Sequence, residues 1–474
     1  MKYEAVIGLE IHVEMKTKSK MFSSGPVTFG EDANTQINPL DIAFPGTMPV
    51  VNKQAVINAI RVSHALHMKI DRELWFDRKN YFYSDLPKGF QITQQARPIG
   101  SDGYLDFASE DGPRHIRIER LHMEEDTCKQ LHSWDCTLLD YNRAGIPLIE
   151  IVSMPDIRSG EIAAKYVERI RSIVSFLDVS DGKMEEGSLR CDVNISIRPE
   201  GSQTFGTKVE IKNLNSIANV KRAIDFEFER QVALVEAGQE VRQETRRFDE
   251  ATKETVLMRV KTDAVDYKYF TEPNIVPIKL SEEFIKDAIM TSPELAHHKL
   301  DRYETLGLNT YDAQQLIANK EISDYFDEML KSGADPKLLA NWLIGDVQSI
   351  LNKENISIKE FVISPKNLGE LVKIIQSGKV SNKQGREIFA EMLKNNEDPN
   401  KLVEKMGASQ ISDTDAILQM VIEVIDANPQ SVIDYKNGKD RCVGFLVGQI
   451  MKKSQGKVNP ALANQLVVAE LKKR

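Results

Sequence analysis

The sequence has few of the features that mark secreted, membrane-spanning or disulfide-bonded proteins. No apolar run approaches the roughly 20 residues that a membrane-spanning helix needs. The start, Met1-Lys-Tyr-Glu, leads directly into a strand-like pattern instead of a secretory signal. The cysteines form no CxxC pair and are too few for a disulfide framework: Cys128, Cys136, Cys191 and Cys442. These absences favour a reduced, cytoplasmic protein that does not associate with membranes.

The short motifs of several enzyme classes are also missing. The sequence has no GxxxxGK[ST] loop, which excludes a P-loop nucleotidase, and it has no GxGxxG, HExxH or GxSxG pattern. None of the cysteines lies in a nucleophile signature. The chemistry that is left must come from acids, one or two histidines and scattered lysines.

Length and charge set broad limits. A chain of 474 residues predicts about three domains of roughly 150 residues each. The net charge of −9 argues against a mainly electrostatic nucleic-acid binder, although it is an average over the whole chain.

The first candidate site lies at the very start of the chain. From Tyr3 to Met15 every odd position is apolar, which predicts a β-strand with one face in the core. Glu10, His12 and Glu14 then project side by side from the other face. This face is either the solvent side of an antiparallel strand or part of a carboxylate-rich cation site, and the second interpretation requires acids on later strands.

Acids do recur on later predicted strands. Glu124 and Glu125 follow shortly after His122, and Glu150 lies inside an apolar run, 146–152. A buried carboxylate costs several kcal/mol unless a cation or a donor meets it. For Glu150, pairing with an arginine and metal ligation are both open.

Two further segments mix cations with acids or aromatic residues. Strands at 189–198 and 208–212 predict a hairpin whose polar face holds phosphate and metal or is simply solvated; its members include Arg190, Asp192, Lys208, Glu210 and Lys212. The segment 75–90 is either a packed edge strand or a surface for a nucleotide or a tRNA end; its candidates are Lys79, Asn80, Tyr81, Tyr83 and Lys88.

The chain divides into three predicted domains. Residues 1–291 predict one α+β domain with a large antiparallel sheet. At Ser292-Pro293, a helix-start signal, the pattern becomes helical and gives a helical domain, 292–407. A small helical tail, 408–474, ends in a basic stretch with nine cations and two acids from Lys436 onwards. The stretch either contacts RNA or provides charged residues at a helix end that keep the protein soluble.

The residues alone therefore predict metal-dependent phosphoryl chemistry beside a possible RNA-binding tail. Acids with an imidazole favour Mg²⁺ or Mn²⁺ over a closed zinc site. Such ions most often bridge the phosphates of ATP.

Several longer motifs resemble those of a known family, in the same order from end to end. They are Ile7-Gly-Leu-Glu-Ile-His-Val-Glu14, the run 143–152, Asp266-Tyr-Lys-Tyr-Phe270, Ala340-Asn-Trp342, Gly448-Gln-Ile-Met451 and Gly456-Lys-Val-Asn-Pro460. In these motifs the chain resembles the B subunits of bacterial tRNA-dependent amidotransferases.

The resemblance implies a cradle-like kinase domain, a helical domain and a tRNA-binding tail. It also implies a heterotrimer with a glutaminase A subunit and a small C subunit. That enzyme converts Glu-tRNA(Gln), and often Asp-tRNA(Asn), to Gln-tRNA(Gln) or Asn-tRNA(Asn), with ATP and Mg²⁺. The glutaminase supplies the ammonia, which agrees with the absence of glutaminase motifs here.

The resemblance also implies a set of site residues. As catalytic residues and metal ligands, directly or through water, we expect Glu10, His12, Glu125 and Glu150. Second choices for the metal are Glu124, Asp192 and Glu210. Candidates for phosphate contacts are Lys79, Lys88, Arg190 and Lys208.

One departure and two rival functions complete these expectations. Many relatives carry paired zinc cysteines in the loop after the first strand, but this chain has none there, so we expect no structural zinc. The rivals are a non-catalytic scaffold that presents tRNA to a partner enzyme and a metal-dependent phosphodiesterase that shortens RNA.

Overall fold

The computed structural model describes residues 2–260, 266–406, 414–436, 439–454, 458 and 460–474. The chain divides into two compact units, Met1–Leu295 and Ala296–Arg474. Among the described residues, no helix is both long enough and apolar enough to cross a membrane.

The strands belong to the first unit. Their bounds are β1 Tyr3–Glu14, β2 Lys69–Ile70, β3 Glu73–Leu74, β4 Asp77–Asn80, β5 Phe90–Thr93, β6 Gly100–Ser109, β7 Gly112–Glu125, β8 Lys129–His132, β9 Thr137–Asp140, β10 Pro147–Ser153, β11 Leu189–Pro199, β12 Val209–Lys212, β13 Glu244–Asp249, β14 Glu254–Val260, β15 Phe270–Thr271 and β16 Ile278–Lys279.

In the described part of the first unit, four helices accompany the strands, and the described part of the second unit is helical. The bounds in the first unit are α1 Lys53–Ala65, α2 Gly160–Phe176, α3 Ile217–Glu236 and α4 Glu282–Met290. Those in the second unit are α5 Ala296–Thr305, α6 Thr310–Ile317, α7 Lys320–Leu330, α8 Pro336–Asn341, a π-helical turn Trp342–Val347, α9 Gln348–Glu354, α10 Pro365–Gln376, α11 Asn382–Asn395, α12 Pro399–Lys405, α13 Thr414–Asp426, α14 Pro429–Lys436, α15 Arg441–Lys453 and α16 Pro460–Lys473.

The main sheet has the strand order β14-β13-β12-β11-β1-β10-β7-β6-β2. The predicted α+β class is confirmed, but the predicted antiparallel sheet is mixed, because β12 and β13 are parallel. Helix α3 lies between these two strands in the chain, and parallel neighbours need such a crossover. The sequence pattern around α3 did not reveal it.

The central strand β1 divides the first unit into an apolar and a polar side. Ile7, Leu9, Ile11 and Val13 are fully or almost fully buried in the main core, which also takes in apolar residues of α1, α2 and α3. Because side chains alternate along a strand, the residues between them face away from this core. Sheet order thus places β10, β11 and the polar side of β1 next to one another.

The second unit contains two separate hydrophobic clusters, one within residues 303–403 and one within 417–471. The predicted boundary at 291/292 lies close to the division after Leu295, while that at 407/408 falls outside the described residues. Helix α5 begins at Ala296 and not at Pro293. Leu295 packs against the core of the first unit, and α5 begins at the next residue.

The loop after β1 is held by a buried ion pair. Lys20 Nζ lies 2.9 Å from Asp41 Oδ2, and neither side chain is exposed to solvent. Asp41 also accepts hydrogen bonds from Ser23 Oγ and Asn38 N, at 2.7 and 2.8 Å. Lys20 donates to the carbonyl oxygen of Tyr141 at 3.2 Å. Hydrogen bonding and packing thus fix the loop in which the sequence has no cysteine.

Candidate metal and phosphate site

The register of the central strands brings distant polar residues together. His12 on β1 pairs with Glu150 on β10 and with Arg190 on β11. Glu150 pairs in turn with His122 on β7. Directly paired residues have their Cβ atoms only about 5 Å apart, so side chains on one face can interact across three strands.

The first cluster consists of His12, Glu124 and Glu150, whose potential ligand atoms lie within 4.8 Å of one another. Glu150 Oε2 is 3.5 Å from His12 Nε2 and 3.1 Å from His122 Nε2. His122 Nε2 is also 3.4 Å from Glu124 Oε2. The cluster and the adjacent His122 thus combine two carboxylates with two imidazoles.

Charge in the first cluster is strongly coupled. Burial alone would raise the pKa of Glu150, but the neighbouring His122 and His12 hold it well below its usual range. Burial would lower the pKa of His122, and the Glu150 and Glu124 carboxylates overcome this and raise it to about 9. The pKa of His12 is raised for the same reason. Without another cation, protonated histidines balance the carboxylates.

The second cluster consists of Glu10, Asp192 and Glu210, with potential ligand oxygens within 4.8 Å of one another. Asn194 Nδ2 donates to Glu10 Oε1 at 2.8 Å. Lys212 Nζ donates to Asp192 and lies 3.2 Å from Glu210 Oε1. Burial, followed by the charge of Glu150, raises the pKa of Glu10. Neighbouring carboxylate charge thus adds to the effect of burial on this acid.

The donor atoms fit divalent cations. Three carboxylates offer the all-oxygen environment that Mg²⁺ prefers, and an imidazole with two carboxylates also suits Mn²⁺. Burial and then the charge of Glu150 raise the pKa of Glu10, and a bound cation would stabilise the ionised carboxylate against both. The two clusters are adjacent, since Glu10 and His12 are two residues apart on one face of β1.

The structure places the predicted ligands in two groups. His12 and Glu150 come together with the second choice Glu124, and Glu10 comes together with the second choices Asp192 and Glu210. Glu125 lies outside both clusters, where it accepts hydrogen bonds from Lys88 Nζ and, at 3.0 Å, from Ile92 N. Glu125 as a ligand and Lys88 as a phosphate contact stay predictions, and in this structure the two residues pair with each other.

The other predicted phosphate contacts lie in different surroundings. Lys79 Nζ is 4.9 Å from the centre of the Tyr267 ring, and the charges of Glu124 and Glu150 help to keep its pKa raised in spite of burial. Arg190 donates to Asp126 Oδ2 at 2.7 Å. Lys208 is exposed and precedes β12. Lys79 is thus the nearest of the three to the first cluster in electrostatic terms.

Glu14, the last residue of β1, has a different role. Burial and the neighbouring Asp126 raise the pKa of Glu14 to about 8, while Arg190 and Arg143 help to keep the pKa of Asp126 low. Glu14 is therefore protonated at neutral pH and hydrogen-bonded to Asp126. Because Asp126 also accepts a hydrogen bond from Arg190, the Glu14–Asp126 pair links the carboxyl-terminal end of β1 to Arg190.

The sequence did not single out His122 or Lys212 as a site residue, although it placed Lys212 on the polar face of the predicted hairpin. His122 is two residues before Glu124, and Lys212 is two residues after Glu210, so the period of two placed each on the same face as its acid. That spacing was the available signal. Strand register, which the sequence did not give, brought each of them to its cluster.

Comparisons with known proteins agree with this geometry. Residues 5–286 match the family model described as the GatB/GatE catalytic domain, and residues 324–471 match the GatB domain. The chain is 50% identical to the B subunit of the aspartyl/glutamyl-tRNA(Asn/Gln) amidotransferase of Lysinibacillus sphaericus, over the whole length of both chains. The B subunits of the same named enzyme from Geobacillus thermodenitrificans and Staphylococcus carnosus are 49% and 50% identical, again over both whole chains.

Identity at this level, over the complete length, places the chain with multi-subunit enzymes. Both family models match in the order in which the two compact units occur. The chain belongs to the family of B subunits of the aspartyl/glutamyl-tRNA(Asn/Gln) amidotransferases.

Proposed function

We propose that this chain activates the side-chain carboxylate of Glu or Asp on misacylated Glu-tRNA(Gln) or Asp-tRNA(Asn), and then directs its amidation by ammonia. The observation that carries the proposal is the pair of adjacent ligand clusters on β1. The name of the relatives gives the substrate class. We further propose that a glutaminase A subunit and a small C subunit complete a cytoplasmic enzyme, and that the tail binds the tRNA.

The chemistry needs no general base in its first step. The side-chain carboxylate of the aminoacyl group is already ionised, so its oxygen attacks the γ-phosphorus of ATP, the bond to the β-phosphate oxygen breaks, and ADP leaves. Ammonia then attacks the carbonyl carbon of the acyl phosphate, loses a proton, and inorganic phosphate leaves. Catalysis of such a transfer is mainly positioning and electrostatic stabilisation.

The chain offers two sites for Mg²⁺. Glu10, Asp192 and Glu210 would hold one ion, and His12, Glu124 and Glu150 a second. Mg²⁺ bound there neutralises charge on phosphate oxygens, which a carboxylate-lined face alone would repel. Among the chain's own residues, His122 holds the Glu150 carboxylate in place, and Asn194 orients Glu10.

Two lysines are suited to hold the phosphates of ATP. Lys212 lies against the second cluster and Lys79 lies near the first. Each is partly buried, so its charge is screened less than that of a surface lysine. An ammonium group beside a metal-binding carboxylate can contact a phosphate that the metal also binds.

The test measures ADP formation by the assembled enzyme, with Mg²⁺, Glu-tRNA(Gln) and ammonium chloride in place of glutamine. Wild type should form ADP only when misacylated tRNA is present. Glu150→Gln should lower the rate about 1,000-fold, which corresponds to roughly 4 kcal/mol of transition-state stabilisation. Filter binding should show unchanged tRNA affinity.

Glu119→Gln is the matched control, because Glu119 is an exposed acid on β7. It should keep the rate within about twofold. Normal turnover by Glu150→Gln would favour a scaffold role and overturn the assigned site. Shortened tRNA on a gel, without ADP, would favour a phosphodiesterase.

A further inference from the structure

Highly exposed aromatic side chains lie on three loops of the first unit. We define the three-loop surface as residues 27–36, 81–89 and 128–141, where the last segment is the β8–β9 hairpin with its connecting turn. Phe29, Phe82 and Trp134 are 85%, 93% and 95% exposed, and Leu131 and Leu138 are also exposed. Each leaves apolar area in water and so contributes little to folding. Exposed apolar side chains on segments that are joined to one another mark an interaction site.

The three loops are bonded to one another. Asn34 Nδ2 donates to the carbonyl oxygen of Leu139 at 3.0 Å. Cys128 N donates to the carbonyl oxygen of Asp85 at 3.1 Å, and Gln130 Nε2 donates to Ser84 Oγ at 3.2 Å. These bonds fix the loops before any partner binds, which reduces the entropy cost of association.

The charge of the surface selects the kind of partner. The three segments contain five acids and two lysines, and no arginine: Glu31, Asp32, Asp85, Asp135, Asp140, Lys88 and Lys129. Affinity for RNA depends on neutralising phosphates, so an acidic surface disfavours it. Exposed Trp and Phe are, by contrast, typical of the buried centres of protein–protein interfaces.

The surface is continuous with the candidate site. Loop 81–89 follows β4, which carries Lys79, and its Lys88 donates to Glu125. Glu125 is the neighbour of Glu124 in the first cluster. Ammonia must reach an acyl phosphate before water does, so the subunit that releases ammonia has to dock close to the site.

We propose that the three-loop surface is the docking surface for the ammonia-releasing subunit. This inference rests on the proposed function for the identity of the partner. The partner should present an apolar surface with basic residues around it, because Glu31, Asp32 and Asp135 are exposed around the aromatic residues.

The experiment measures the affinity of the full-length chain for the glutaminase subunit, by titration in solution. The double variant Phe29→Glu/Trp134→Glu should bind at least 30-fold more weakly than wild type. In the assembled mixture, glutamine-dependent amidation should fall in parallel, while amidation with ammonium chloride stays within threefold. Trp134→Ser, a milder single variant, should weaken binding about tenfold. Circular dichroism should show that both variants are folded.

Phe205→Glu is the matched control, because Phe205 is a 62% exposed aromatic residue on the loop between β11 and β12. It should bind the glutaminase subunit as wild type does. Unchanged affinity of the double variant would overturn the proposal, and so would an equal loss in the control. Loss of tRNA affinity with normal affinity for the glutaminase would also overturn it. The affinity does not depend on ATP turnover, so a chain that binds through this surface but forms no ADP would refute the proposed function alone.

Discussion

Two buried groups of charges in the first unit differ in how completely they are paired. In the loop after β1, Lys20 and Asp41 are fully enclosed, and their bonds to each other, to Tyr141, to Ser23 and to Asn38 occupy them. On the sheet, Glu150 is compensated mainly by His122 and His12, and among the described residues His122 Nδ1 has no hydrogen-bond partner. One group is closed, and the other can accept a ligand.

This difference separates a structural charge from a functional one. Removing one member of a closed pair leaves the other charge buried without a partner, and this destabilises the folded chain. Histidines beside carboxylates instead carry protons that a metal ion can replace. Substitution should therefore affect stability in the loop and activity on the sheet.

The largest effect on stability is expected for Asp41→Asn. The change leaves the Lys20 ammonium buried without a counter-charge, which costs about 3–5 kcal/mol. Hydrogen exchange of peptides from residues 16–51 should show that this loop opens far more often, while peptides from β1 change less. Normal exchange in the loop would contradict the interpretation of the pair as structural.

A double variant sharpens the same test. Lys20→Met combined with Asp41→Leu removes both charges together and fills the space with apolar groups, so it should recover at least half of the lost protection. ADP formation by this variant should stay within a few-fold of wild type, because neither residue belongs to a ligand cluster.

The next effect concerns two consecutive acids. Glu124→Gln should lower ADP formation about 100-fold, because Glu124 belongs to the first cluster. Glu125→Gln should lower it less than Glu124→Gln does, because Glu125 is occupied by Lys88 and the Ile92 amide. Rates at saturating ATP and Mg²⁺ would rank the two. The opposite ranking would favour the ligand set implied by the family resemblance.

Glu124 and Glu125 also illustrate what could and could not be predicted from the sequence. Alternation predicted β1 to within one residue, and it placed Glu10 and His12 on the polar face because apolar residues occupy every odd position. Adjacent residues of a strand face opposite sides, so the choice between Glu124 and Glu125 depends on strand register. That register comes from β10, which begins 22 residues after Glu125, and no local pattern contains it.

Local sequence patterns also could not predict which residues make up each cluster. Glu210 meets Glu10 only because β11 pairs with both β1 and β12, at positions about 200 residues apart in the chain. The sequence offered the acids and the resemblance offered their chemistry. Only the assembled sheet shows that His122 and Lys212 accompany these acids.

The next effect is a pH dependence of stability, which has opposite signs for His122 on the sheet and for Lys20 in the loop. The pKa of His122 is raised from its ordinary 6.5 to about 9, so the folded chain binds a proton there that the unfolded chain lacks. Its stabilising contribution is complete below pH 6.5 and is lost as the pH rises through about 9. Burial lowers the pKa of Lys20, so the folded chain loses this proton at a lower pH than the unfolded chain does. The cost of burying the Lys20 charge therefore falls, and stability rises, as the pH rises towards 10.5.

Urea unfolding in EDTA would measure both contributions. The stability difference between wild type and His122→Gln should shrink by roughly 2 kcal/mol between pH 6.5 and 9.5. The difference between wild type and Lys20→Met should not shrink over that range. A shrinking difference in both variants would show that the two groups do not differ as described.

The smallest effect is expected for Lys212→Met, and it tests whether a residue beside an open cluster acts on the ligand. Lys212 Nζ lies between Asp192 and Glu210, so its loss should raise the KM for ATP about five- to tenfold with little change in kcat, as expected when uniform binding is lost. Lys208→Met is the matched control, because Lys208 is exposed just before the same strand. An exposed lysine is well screened, so its loss should change KM less than twofold. If Lys208→Met raised KM more than Lys212→Met did, the phosphate contact predicted from the family resemblance would be preferred. Lys212 would then serve only to balance the charge of its two acids, as Lys20 does for Asp41.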